Sequence, residues 1–260
     1  MTVPSLPVAD FTFFTLLFLR FATLLALAPI YGMSIVPVRV RLGLALLLAL
    51  MLYGTALPAQ LLPLERGELV LWIGRELFVG GLLAFVGSLI FAAVQLAGQV
   101  VGFQMGLAMA QTVDPRTLGS SSVVAEIYHL MALLLFLALD GHHAILQLVV
   151  QSLHWAPIGQ ALSMPTPTVL IERTGEIFAL ALSTAAPVVA ALLATSLALG
   201  FVARTVPQMN IFAIGFSVKL AVGCLVGALA MPYLARSFSR SWLLLQADAA
   251  ALLRALGQGA

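Results

Sequence analysis

Between Leu77 and Val113 the chain runs for 37 residues without one Asp, Glu, Lys or Arg. A bilayer's hydrocarbon core takes about 20 helical residues. A straight helix of 37 residues is about 55 Å long at roughly 1.5 Å per residue. The run is therefore too apolar for an ordinary soluble segment and too long for one simple span. It also changes character halfway. The first part is rich in Leu, Phe and Val; the second reads Gly98-Gln-Val-Val-Gly102-Phe-Gln-Met-Gly106 and stops at Val113-Asp114-Pro115-Arg116. An apolar element that becomes small, polar and bendable at its end points to a pathway or gate rather than an anchor.

Composition places the whole chain in the same class. Hydrophobic residues make up 62% and charged residues 8%, where a soluble domain carries roughly 25% charged. Too few charges are present to cover a soluble surface, so the chain reads as an integral membrane protein. Long runs of Leu, Ala and Val indicate an all-α fold, because outer-membrane barrels read as alternating segments of about 10 residues. A net charge of +2 is too small to imply a nucleic-acid partner. One cysteine, Cys224, cannot form an internal disulfide, and it reads as a buried packing thiol. The N-terminus lacks a positive n-region, so the first apolar segment is expected to be retained.

Charges and prolines divide the chain into about six apolar helical segments, some long enough to be broken or kinked. The first runs from about Phe11 to Val36, interrupted by Arg20 and Pro29, and the second from about Leu42 to Leu62 after a basic connection at Arg39 and Arg41. Glu65, Arg66, Glu68, Arg75 and Glu76 form a polar connection or a helix start before the uncharged run. Ser120 to Ser122 opens a helix to Leu139 that carries Glu126 and His129. Asp140-Gly141 is a turn signal, and His142 to Trp155 is a further, short helix. Residues 157–171, with Pro157, Pro165 and Pro167, form the clearest linker. Beyond it, Glu172 to Arg204, with Pro187 as an expected kink, and Asn210 to Arg236 make a helical hairpin over 172–236. The tail, 237–260, suits an amphipathic helix on a membrane or a partner.

Several residues could carry function, and each has a plainer reading. Gly98, Gly102 and Gly106 lie along one helix face and either let another backbone approach or allow the helix end to bend. Gln95, Gln99, Gln104 and Gln111 must face protein or water at lipid depth, so this helix belongs inside a bundle or complex. Asp114-Pro115-Arg116 is expected to end it. Residues 106–122 are then either irregular backbone lining a cavity or an exposed loop. Lys219 sits in an otherwise apolar helix, with Glu126 and Asp140 as candidate partners, and is either a transport residue or half of a structural ion pair. Arg20 carries the same ambiguity. His142 and His143 are adjacent and do not form the i, i+4 metal pair. HExxH, GxSxG and Walker motifs are absent from the sequence, and no catalytic, cofactor or metal site is assigned. An intramembrane protease dyad of Ser120 to Ser122 with His129, or a small-solute transporter built on Lys219 and Glu126, are the rival readings from other classes.

Four segments carry a resemblance: Gly102-Phe-Gln-Met-Gly106, Val113-Asp-Pro115, Leu133 to His143 with its terminal Asp-Gly-His-His, and Pro207-Gln-Met-Asn-Ile-Phe-Ala-Ile-Gly-Phe216. Together they resemble the FliR family, the R components of the flagellar type III export gate, over about Phe11 to Arg236. Virulence type III (injectisome) systems have a related T component. The resemblance implies a non-enzymatic subunit of a helical, closed channel for unfolded flagellar proteins. It also implies P-type and Q-type subunits as partners, a B-type component around the gate entrance, and contact with lipid. Residues 1–156 would correspond to a P-type subunit and the hairpin 172–236 to a Q-type subunit. The location implied is the bacterial inner membrane at the flagellar basal body, with the gate held above the plane that hydropathy indicates. The resemblance further makes residues 106–122 a channel plug, here carrying Gly106, Gln111, Thr112, Asp114, Pro115 and Arg116, with Met105 and Met109 as flexible seals.

Overall fold

The computed structural model describes residues 8–32, 36–54, 66–107, 122–158, 167–205 and 211–257. Among these residues there are seven α-helices and no strand. They are α1 (Val8–Leu27), α2 (Val38–Tyr53), α3 (Arg66–Gln104), α4 (Val123–Ala138), α5 (Gly141–Trp155), α6 (Pro167–Thr205) and α7 (Ile211–Gly257). Four stretches, Asp10–Leu27, Glu68–Gln104, Thr174–Thr205 and Ile214–Leu256, are long and apolar enough to cross a membrane, and α4 with α5 would make a fifth, broken span.

Local chemistry explains most boundaries, including several that differ from the sequence reading. α1 stops at Leu27 rather than near Val36, because Pro29 has no N–H and biases Ala28 away from helical geometry. Arg39 and Arg41 are not a connection but the first turn of α2, where the Arg41 Nε and Nη2 donate to the Val36 carbonyl at 3.0 and 2.8 Å. Of the polar group before the uncharged run, Arg66, Glu68, Arg75 and Glu76 lie in the start of α3, as the helix-start alternative had it, and Glu65 lies outside the described residues; α3 continues unbroken for 39 residues. Asp140 takes a left-handed φ of 53° between α4 and α5, a conformation that Asp tolerates better than most residues, and its carbonyl accepts from the His143 and Ala144 N–H groups. The tail is not a separate helix. α7 runs through Pro232 to Gly257, and Leu252, Leu253 and Leu256 are buried in the chain's own core.

Two compact units result, neither contiguous in sequence. The first contains α1, α2, α3 up to Leu89, α5 and α7 from Leu243. Its centre is Arg20, whose side chain has no exposed surface. Arg20 Nε donates to Glu76 Oε2 at 2.5 Å, Nη1 to Ser152 Oγ at 3.0 Å, and Nη2 to the Ala156 carbonyl at 2.9 Å. Ser152 in turn donates to the Val149 carbonyl at 2.6 Å, so its hydroxyl both gives and accepts. Beside them Arg75 Nη2 donates to the Pro157 carbonyl at 2.7 Å. Glycine lets α3 come this close. A methyl at Gly80 would stand 2.5 Å from the Arg20 carbonyl oxygen and 3.1 Å from Thr23 Cβ. At the far end, Arg254 of α7 lies over the Trp155 ring at 4.7 Å, a cation–π contact that ties the tail to α5.

The second unit contains α3 from Ile90, α4, α6 and α7 to Trp242. Phe91 lies at the centre of its aromatic core, with ring centroids 5.3 Å from Phe136 and 6.0 Å from both Phe238 and His129. Phe136 also meets Trp242 edge-on at 4.8 Å. Such edge-to-face pairs add about 0.5–1.5 kcal/mol each beyond area burial. α3 is the internal helix: 67% of its most apolar stretch is buried within the chain, against 28% for α6 and 11% for α7. The exposed residues of α6 and α7 include Phe178, Leu182, Leu197, Phe201, Leu225 and Leu229. An apolar surface this extensive needs lipid or a protein neighbour. Cys224 lies on it and is exposed, contrary to the buried thiol expected, because α7 turns little of its length towards its own chain.

The Arg20–Glu76 pair yields a test. Glu76→Ala strands a buried guanidinium and should cost about 3–5 kcal/mol, whereas the double replacement Arg20→Met with Glu76→Leu should recover most of that loss. Thermal unfolding of the detergent-solubilised protein measures both.

Candidate functional site

The long helix ends at Gln104, nine residues short of Val113. Asp114-Pro115 therefore does not terminate it. The stop signal is Gly106, which adopts a φ of +86°. The Gly106 N–H reaches the Phe103 carbonyl at 3.0 Å and the Leu107 N–H reaches the Gly102 carbonyl at 3.1 Å. This is the Schellman arrangement, with the left-handed position that glycine occupies without steric cost. Of the sequence-assigned plug residues, Met109, Gln111, Thr112, Asp114, Pro115 and Arg116 lie outside the described residues, while Met105 and Gly106 lie inside them.

The two glycines upstream set how closely α4 packs. A methyl at Gly98 would stand 2.6 Å from Ala125 Cα and 3.1 Å from the Val124 carbonyl oxygen. At Gly102 it would overlap the Ser122 side chain. Gly102 and Ser122 are thus neighbours, so the chain between them leaves the end of α3 and returns beside it. Met105, the residue before Gly106, is 2% exposed. Its thioether lies where a side chain at Gly223 of α7 would be: Cγ, Sδ and Cε are each 2.8 Å from the missing Cβ. The Phe216 ring, also on α7, lies 3.5 Å from the corresponding point at Gly106. Gln95 and Gln104 are half-buried, and Gln99 is exposed.

The remaining candidates are dispersed. Arg20 belongs to the ion cluster of the first unit. Its partner Glu76 was not singled out in the sequence because a spacing of 56 residues has no periodic signal; a second buried charge in an apolar segment was the only hint. Glu126 is exposed in the first turn of α4, where the helix dipole favours an acid. Lys219 is half-buried on α7 and makes no ion pair among the described residues. Pro187 is exposed inside a continuous α6. Ser122 occupies the N-cap position of α4 without a side-chain capping hydrogen bond, and His129 lies seven residues on, about 10 Å along the axis, so this serine and histidine do not form a nucleophile–base pair. Asp140, His142 and His143 bring one donor atom each to within 4.8 Å of one another. The two imidazole centroids lie 4.1 Å apart with the rings tilted by 37°, and the Asp140 carboxylate lies 3.5 Å from His143 Nδ1. These have the donor types for a metal ion, but Asp140 and His143 face solvent.

Residues 11–245 match the model of the bacterial export proteins, family 1. The chain belongs to this family. It is similar to the flagellar biosynthetic protein FliR of Escherichia coli K12, at 38% identity over 84% of this chain and 83% of that protein. It is similar to the FliR proteins of Bacillus subtilis 168, at 33% identity over 82% of this chain and 83% of the relative, and of Pectobacterium carotovorum, at 34% over 83% and 82%. The chain is accordingly a membrane component of the flagellar export apparatus, and its apolar outer helices suit that setting.

The close approach of α3 and α4 can be tested on this family member directly. Gly98→Leu must push on backbone atoms of α4 that cannot yield, and should destabilise by about 1–3 kcal/mol. Gly74→Ala, on the same helix with nothing within 4 Å, should instead be neutral or stabilising by up to about 1 kcal/mol. Detergent melting curves of the two variants distinguish them.

Proposed function

We propose that the chain is the R-type subunit of the flagellar type III export gate and that residues 106–122 plug the closed channel. In this reading P-type and Q-type subunits cover the exposed apolar faces of α6 and α7 where lipid does not, and a B-type component surrounds the entrance. Residues 1–156 act as a P-like part, residues 157–171 as a linker and the hairpin 172–236 as a Q-like part. The assembly lies in the bacterial inner membrane at the flagellar basal body, with its gate above the hydropathic plane, and passes unfolded flagellar proteins. The subunit has no catalytic role of its own.

The observation that carries the reading is the return of the chain to its starting point. A mostly buried helix, uncharged from Leu77 onward, stops at a glycine, and Ser122 lies again beside Gly102. A loop anchored at both ends on an internal helix can block a passage without loosening the scaffold around it. A transporter reading needs a buried charge pair around Lys219, and Glu126 does not supply it.

Removing several residues within 106–122 should raise the leakage of ions or small solutes through cells carrying the assembled gate, while P- and Q-type subunits still co-purify. Leakage equal to that of the intact protein, with assembly preserved, rules out the plug.

A further inference from the structure

We infer that Asp140, His142 and His143 form a binding site for one divalent transition-metal ion of the zinc type at the start of α5. The inference stands apart from the gate reading, and none of its three residues belongs to the proposed plug. Adjacent side chains on a helix diverge by about 100°. The His142 and His143 rings nevertheless converge, with centroids 4.1 Å apart. Asp140 is turned to the same place. It occupies the N-cap position of α5, where an Asp side chain ordinarily accepts from the backbone N–H groups of the first turn, yet it makes no such bond. Its left-handed backbone instead presents its carbonyl to the His143 and Ala144 N–H groups. The carboxylate is thereby released from capping and lies 3.5 Å from His143 Nδ1.

Donor type and spacing fit such an ion. One donor atom from each residue lies within 4.8 Å of the other two. Two ligands of a tetrahedral zinc stand about 3.3 Å apart at bond lengths of roughly 2.0 Å. The Asp140–His143 separation already matches, and rotation about the side-chain χ angles closes the rest. His142 Nδ1 is shielded from solvent and has no hydrogen-bond partner. Buried polar atoms are ordinarily paired, and coordination through Nδ1 supplies the partner that this nitrogen lacks. Two imidazoles and a carboxylate suit zinc, copper(II) or nickel(II), whereas calcium takes about six to eight oxygen ligands. The Asp140 carboxylate also offsets the positive end of the α5 dipole, which alone would repel a cation. The side chains of Asp140 and His143 are 78% and 64% exposed, so the ion enters from solvent and water completes its coordination. A bound ion ties the N-cap of α5 to its first turn.

The test uses the full chain in detergent, purified through a histidine-free tag and stripped with a chelator. Cobalt(II) is the spectroscopic probe and zinc the competitor. The intact chain should take up a single cobalt ion with visible absorption bands, and added zinc should abolish them. Asp140→Asn removes the charge but keeps a residue that tolerates left-handed backbone. This variant, His142→Gln and His143→Gln should each weaken cobalt binding at least about tenfold. His154→Gln, in the last turn of α5 and exposed, should bind cobalt as the intact chain does. Circular dichroism of the metal-free proteins establishes that each variant is folded. The site is overturned if the intact chain leaves the cobalt spectrum unchanged. It is equally overturned if His142→Gln and His143→Gln keep the bands, since the ion is then an adventitious one held elsewhere. Should one of the three site variants fail to fold, the other two decide by the same criterion.

Discussion

A guanidinium with no exposed surface dictates the arrangement of the first unit. Moving an ion of this size into a low-dielectric interior costs several kcal/mol even after relaxation, and that cost is met only by good geometry and further hydrogen bonds. Arg20 meets it with a carboxylate from α3 and a hydroxyl and a carbonyl from the end of α5. Three segments far apart in sequence must therefore converge on one point. An apolar contact would tolerate sliding, because hydrophobic burial is non-directional. The forked donors of Arg20 do not, so the register of α1 against α3 is set at this place. Gly80 completes it by removing the Cβ that would hold the two backbones apart.

The same economy of side chains governs the second unit, with glycine in place of charge. Apolar helices in a membrane lack the water-driven incentive to associate, and close backbone approach through small residues takes over. Gly98 and Gly102 seat α3 on α4, and Gly223 admits Met105 from α3 into α7. The three glycines give the end of α3 fixed neighbours on two helices, immediately before Gly106 turns the chain out of helical geometry. The end of α3 is thus held against two helices at the point where the chain leaves helical geometry.

Much of this was legible in the sequence. The all-α class follows from the apolar runs, and the interior placement of α3 from its amides and its lack of charge beyond Glu76. Gly98, Gly102 and Gly106 were visible as a ladder. What their separate roles would be was not, since spacing alone does not distinguish a packing glycine from a stop. Other readings failed for identifiable reasons. Arg39 and Arg41 looked like a connection because charge was read as exposure, yet they lie in the first turn of α2, where Arg41 donates to a carbonyl; Glu76 lies in a helix start, as one of the two alternatives had it, but its pairing with Arg20 had no sequence signal. Cys224 looked buried because it lies in an apolar run, yet apolar does not mean covered on a helix that faces lipid or other subunits. The tail looked separate because Pro232 and its charges interrupt the apolar pattern, but leucines 252, 253 and 256 are drawn into the core of the first unit.

The sequence by itself determined that this chain is helical, membrane-embedded and a member of an export family, because hydropathy, helical period and motif order are properties of neighbouring residues. The tertiary structure alone decided that Arg20 meets Glu76, that Ser122 returns to Gly102 and that Met105 fills the space beside Gly223. Each of these joins residues separated by 20 to 118 positions, and a contact at such a separation leaves no periodic trace in a single chain. It exists only where packing brings one side chain to the place that another residue leaves open.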